Sequence, residues 1–128
     1  APAADHGAAI ANLAGWSDMH RHRWSPLEKK VARAAFESAW ARECGAIRRR
    51  AEAMLTASSE PEAIWRVFDY LAEKRRELAQ KCDYRYSVLS NVFGRLLAEG
   101  WLTEAEIAPL QPEKIEQIKR SASAWREE

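Results

Sequence analysis

Asp69, Glu73 and Glu77 recur at intervals of four residues, so a helix brings the three carboxylates onto one face. Carboxylates at that spacing can hold a metal when neighbouring helices add ligands. A di-metal bundle also needs a Glu-x-x-His pattern, and no histidine follows His22. His20 and His22, in "MHRHRW", stand two apart, which suits an extended segment and not a shared helical face. The histidines therefore read as part of a solvated basic segment, and the carboxylates as a charge-laced helix face in water. Cys44 and Cys82 lie far apart in the chain, each on or beside an apolar helix face. They read as two buried free thiols in a reducing cytoplasm in preference to a disulfide. "IRRRAE" offers Arg48, Arg49 and Arg50 to phosphate, but Arg48 and Glu52 are i,i+4 partners on an ordinary exposed helix face. There is no glycine-rich phosphate loop, and no serine or cysteine has a base partner in a local motif. The expectation is no metal, no cofactor, no small-molecule substrate and no enzyme.

The same helix carries a different kind of chemistry. At about 100° per residue, Ile64, Val67, Leu71 and Leu78 form one stripe, enough to dock the helix on a core. Trp65, Phe68, Ala72 and Ala79 form a second, edged by Asp69 and Arg76. Aromatic residues beside arginine favour the energetic centres of protein interfaces. Two readings stand: a contact surface for another chain, or a helix buried on both sides with Trp65 as core. Asp69 has Arg66 three residues before it as a surface partner, or an arginine from another chain. Arg75 lies between the stripes and is the better placed to reach across.

The elements that hold these residues are helices. In "WSPLE", Ser25 is an N-cap, Pro26 suits the first helical position and Glu28 completes a capping box. Apart from Gly45 no breaker follows until "TASSEPE", and Phe36, Trp40, Cys44, Ile47, Ala51, Met54 and Leu55 keep helical spacing. A helix over 26–57 is on the order of 45 Å long. A compact globule of this chain length has a radius of gyration of only about 14 Å. The helix must overhang it, and a second copy is the simplest cover. Ser59, Pro61 and Glu62 start a second helix, over 60–81. Asp83 caps a third over 84–99, with a core stripe of Val88, Leu89, Val92, Phe93, Leu96 and Leu97, and Gly100 stops it. Gly94 inside that stripe signals a close helix approach. Short helices over 103–122 follow, begun by Thr103 with Glu106 and by Pro112. Residues 1–24 read as a poorly ordered extension and 123–128 as a frayed tail. The fold expected is all-α: long antiparallel helices forming an elongated homodimer with a small helical head.

Bulk properties agree with a single helical domain. The chain has 128 residues, 47% hydrophobic and 30% charged, with five glycines and five prolines. Lys+Arg 20 against Asp+Glu 19 gives no net charge that asks for nucleic acid or an anionic membrane. No apolar run reaches the roughly 18 residues of a membrane span. The opening "APAADHGAAIANLAG" lacks the basic start and apolar core of an intact signal peptide, and a cytoplasmic location is expected.

Order and spacing together carry a family likeness. The residues are Trp65, Asp69, Leu71, Lys74 and Arg75, then Lys81, Asp83, Arg85, Ser87 and Val88, then Val92, Phe93, Leu96, Leu97, Glu99 and Gly100. Upstream it extends through Trp24, Ser25, Glu28, Arg42 and Glu43, and downstream to about Lys119. The chain resembles the fluorescence recovery proteins, small all-helical homodimers. The resemblance implies a regulator that binds the carboxy-terminal domain of the light-activated red form of the orange carotenoid protein. The family hastens that photoreceptor's return to orange and so ends its quenching of phycobilisomes. It also implies that the two long helices form the dimer and the later ones a head. Trp65, Asp69 and Arg75 fall on the family's dimer and functional positions. Trp40, Ile47, Ile64 and Phe68 join them as dimer-interface candidates, and Asn91, Lys114 and Gln117 as candidates for contacting the partner.

The chain departs from the family pattern at three of these positions. Phe68 stands where a histidine is usual before the aspartate, Asn91 at the place of a partner-contacting aromatic, and Gln117 at that of a lysine. The alternative reading is accordingly a dimeric helical adaptor of the same fold serving another protein in a bacterium without that photoreceptor. A more distant one is a helical nucleic-acid module using Arg48 to Arg50 and "HRHR".

Overall fold

A computed structural model describes residues 23–127. His20 and His22, and residues 1–22 as a whole, lie outside them. Among the described residues all regular structure is helical: α1 (Pro26–Ala57), α2 (Ala63–Lys81), α3 (Leu89–Glu99), α4 (Glu104–Ile107) and α5 (Pro112–Glu127).

Each boundary has a local cause. The Ser25 hydroxyl accepts the Glu28 N–H and Glu28 Oε1 accepts the Ser25 N–H, both at 3.1 Å, with Pro26 in the first turn. Thirty-two residues make α1 about 48 Å long. Thr103 and Glu106 close a second capping box ahead of α4. Gly100, at φ 87°, ends α3 in the left-handed region and returns its N–H toward Leu96 and Leu97 carbonyls.

Four expectations about the elements need correction. Helix α2 starts at Ala63, because residues 61–62 form a turn and its N-cap, Glu62, makes no side-chain cap bond. The Ser58 hydroxyl instead accepts the Glu60 N–H at 3.1 Å. Helix α3 starts at Leu89, because Asp83 binds the Arg85 guanidinium and Val88 N–H closes a turn on the Arg85 carbonyl. Trp24 belongs to the fold: it is buried, and its indole N–H donates to the Tyr86 carbonyl at 3.2 Å. The last helix continues to Glu127 in place of a frayed tail.

The core lies at one end of α1. Leu89, Val92, Phe93, Leu96 and Leu97 of α3 pack with Ile118 and Ala122 of α5, Ile107 of α4, and Leu102 and Leu110. Helix α1 meets them with Ala32, Ala35 and Ala39, whose small side chains admit the larger ones opposite. A Cβ on Gly94 would collide with the Ser121 side chain and lie 3.0 Å from the Ala122 nitrogen, so α3 and α5 approach as closely as backbones allow. Two polar clamps tie α4 and α5 of this head to α1. Arg42 donates to both Glu106 carboxylate oxygens and to the Trp101 carbonyl, all at 2.8 Å. That pairing first, and the Thr103 bonds, hold Glu106 down to about 2 against the cost of burial.

The second clamp is buried. Lys114 Nζ lies 3.3 Å from Glu28 Oε1, and the Gln111 N–H donates to Glu28 Oε2 at 3.1 Å. Burial pushes the Glu28 carboxyl up, but bonds from Ser25, Gln111 and Lys114 outweigh it and the net shift is downward. Lys114 was a candidate for contacting a partner; it is instead turned inward, its ammonium also over the Trp24 ring at 5.1 Å. The other half of α1 runs beyond the head, and α2 folds back along it as a two-helix arm.

A candidate interaction face on the helical arm

Helix α2 docks on α1 through a narrow line. Ala63, Val67 and Leu78 are buried, together with Ala51 of α1. Ile64 and Leu71, expected in the docking stripe, are 56% and 41% exposed. The buried direction is rotated toward Ala63 and Val67. Ile64, Leu71, Arg75 and Phe68 consequently share an outward arc of about 60° at 100° per residue.

That arc faces two adjoining grooves. Trp40, Cys44 and Ile47 of α1 line one with Leu71, Lys74, Arg75, Leu78 and Ala79. The other runs along α2 between Phe68, Leu71, Ala72, Arg75, Arg76 and Ala79. Leu71, Arg75 and Ala79 belong to both, so the surface is continuous from α1 across α2. Trp65 is 61% exposed and Phe68 60%, their rings edge to face with centroids 6.3 Å apart. The reading of Trp65 as core within one chain is therefore overturned. Asp69, Arg66, Arg75 and Arg76 make no ion pair among the described residues, so Asp69 does not use Arg66. Lys74 pairs with Glu77 at 3.2 Å, and Arg48 with Glu52 at 3.3 Å in the expected i,i+4 contact.

Of the candidate residues, Trp40, Ile47, Ile64, Trp65, Phe68, Asp69 and Arg75 all lie on the arm. Asn91 and Gln117 lie apart, on the α3–α5 seam of the head. The Ser121 hydroxyl donates to Asn91 Oδ1 at 2.7 Å, and the Ser90 hydroxyl to Gln117 Oε1 at 3.4 Å. Both side chains thus join the two helices. Leu71, placed in the docking stripe, was missed as a surface residue; centring the helical arc on Arg75 would have found it, whereas Ala79 lies on the surface stripe as expected.

Aromatic residues continue from Trp40 into the head. Phe36 stacks on Trp40 at 6.4 Å and meets Tyr84 edge-on at 4.8 Å, and Tyr84 meets Tyr86 at 5.6 Å. Arg33 lies 3.9 Å over the Tyr84 ring. The Tyr84 hydroxyl is buried without a hydrogen-bond partner of good geometry among the described residues. Burial first, and Tyr86 second, push it up to about 12. Cys44 and Cys82 are free, and burial raises both thiols, so neither is an activated nucleophile. No cluster of metal ligands occurs among the described residues. The chemistry available on the arm is contact: apolar area, aromatic edges and unpaired charges of both signs.

Comparison with known proteins places this architecture. Residues 24–122 match the family model of the photoprotection regulator fluorescence recovery protein. The fluorescence recovery protein of Synechocystis sp. (strain PCC 6803) is 33% identical over 99 residues, 77% of this chain and 91% of the relative. The solved structure of the Fremyella diplosiphon fluorescence recovery protein is 40% identical with a TM-score of 0.72, covering 79% of this chain and 99% of that one. The solved Synechocystis structure is 33% identical with a TM-score of 0.73, over the same shares.

Proposed function

This chain belongs to the family of fluorescence recovery proteins, regulators of photoprotection, and on that premise we propose that it acts as a homodimer joined through the arm face. In this reading the dimer binds the carboxy-terminal domain of the red, photoactivated orange carotenoid protein in the cytoplasm. It speeds the return to the orange form and so ends phycobilisome quenching. The work is conformational, with no bond made or broken and no cofactor. Each tenfold of acceleration needs about 1.4 kcal/mol off the barrier.

The observation that carries the dimer is the imbalance of the arm. It buries Ala51, Ala63, Val67 and Leu78, yet leaves Ile64, Trp65, Phe68 and Leu71 in water. Covering the half of such a side chain that is still exposed is worth about 1–1.5 kcal/mol each. A two-fold axis lets one self-complementary face cover both copies. Asp69 and Arg75, unpaired among the described residues, then have partners of opposite sign on the second chain. No helix among the described residues is long and apolar enough to cross a membrane.

One observation favours the alternative partner. Lys114 is buried against Glu28, and Asn91 and Gln117 each spend one polar atom on a hydrogen bond across the α3–α5 seam. A dimeric adaptor with another protein target fits them as well. Light scattering with size exclusion separates the readings. A mass near twice 14.6 kDa, with co-elution of the photoactivated red form, is expected. A single-chain mass would end the dimer reading. A dimer that leaves the red form behind would favour the adaptor.

A further inference from the structure

Helix α2 contributes nothing to the hydrophobic core of the head. No residue between Trp40 and Asp83 belongs to that cluster. The fully buried apolar residues of α2 are only Ala63, Val67 and Leu78. At its last residue, however, it sends one charge inward. Lys81 Nζ lies 2.6 Å from Glu43 Oε2 on α1 and 2.7 Å from Glu99 Oε1 on α3, with the lysine side chain only 6% exposed. Arg95 Nε completes the set at 3.0 Å from Glu99 Oε2, giving two cations and two carboxylates. We infer that α2 is a releasable strut, and that Lys81 is the catch that fixes its carboxy-terminal end to α1 and α3.

A buried ammonium is tolerable only with its partners in place, so intermediate positions are penalised. Lys81 has two favourable states: dry between Glu43 and Glu99, or withdrawn into water. The chain permits withdrawal, since α2 is flanked by non-helical segments, 58–62 and 82–88. The catch also works at a joint. Glu43 lies where α1 leaves the head, and Glu99 is the final residue of α3. Release frees the exposed face of α2 from its fixed angle to the head, and docking restores it. A ligand that binds one state better shifts the equilibrium by its differential affinity for the two. The inference concerns contacts within one chain, so it is tested at a chain concentration where no second copy covers the α2 face.

Amide hydrogen exchange on the full chain tests it, because local opening of α2 is separable from global unfolding. In Lys81→Met, amides of α2 should exchange at least about tenfold faster than in the parent. Those of Val92 to Leu97 should keep their protection, and Lys81→Arg should restore most of the α2 protection. Acceleration of α2 and α3 together, or none in α2, would overturn the inference. Should Lys81→Met fail to fold, Glu99→Gln decides by the same comparison, since it keeps the Glu43 contact. Selective acceleration of α2 supports the catch; common or absent acceleration sinks it.

Discussion

Trp65 leaves 61% of its surface in water and Phe68 60%, on a helix whose docking on α1 uses neither. Aromatic residues of this kind dominate the energetics of an interface when they reach its centre. Trp65→Glu should therefore weaken self-association by about 2 kcal/mol or more while leaving helix content unchanged; sedimentation across a concentration series reads this directly. An unchanged association constant would remove Trp65 from the interface. Glu106 allows a second residue-scale test. Its folded value of about 2 lies below its ordinary 4.5, so its contribution is complete above 4.5 and fades as pH falls toward 2. Glu106→Gln should cost about 1 kcal/mol at neutral pH, after allowance for the partly exposed Arg42. The loss relative to the parent should shrink below pH 4.5, as followed by urea unfolding at several pH values. At this scale the surplus of Trp65 and Phe68 was legible in the sequence, because two apolar stripes exceed what one docking contact needs. The inward turn of Lys114 was not. Its partner Glu28 lies 86 residues away, and no local pattern reports that distance.

Helix boundaries were legible where a side chain in the sequence supplies the missing backbone partner. Ser25 with Glu28, Thr103 with Glu106, and Gly100 all do so. They were misread where a good capping residue had a stronger bond elsewhere. Asp83 is drawn to the Arg85 guanidinium, and α3 waits until Leu89. The docking stripe of α2 was misread for a related reason. Periodicity locates an apolar arc, whereas the surface of α1 chooses which edge of it is buried. Gly94 carries the prediction at this scale. Gly94→Ala gains helix propensity of about 1 kcal/mol, but its Cβ meets Ser121 and the backbone of α5. The steric cost should win, for a net loss of about 1–3 kcal/mol in chemical denaturation. A more stable variant would mean that α5 can move away without penalty.

The whole molecule joins a head with a dense core to an arm without one. Helix α1 spans both, about 48 Å of it. The all-helical class and the membership of the family were legible, because capping signals, periodicity and the ordered series from Trp24 to Lys119 lie in the sequence itself. The division of labour was only half legible. Sequence pointed to Asn91, Lys114 and Gln117 as outward contacts; Lys114 is turned inward onto Glu28, while Asn91 and Gln117 stay at the surface, each with one hydrogen bond across the α3–α5 seam. The proposed activity is the return of the red orange carotenoid protein to orange. The direct measurement is a dark-recovery trace of that photoreceptor after photoconversion, with this chain and without it. Recovery at least about tenfold faster is expected, a barrier lowered by about 1.4 kcal/mol. A recovery rate unchanged by a chain of confirmed dimer mass would contradict it.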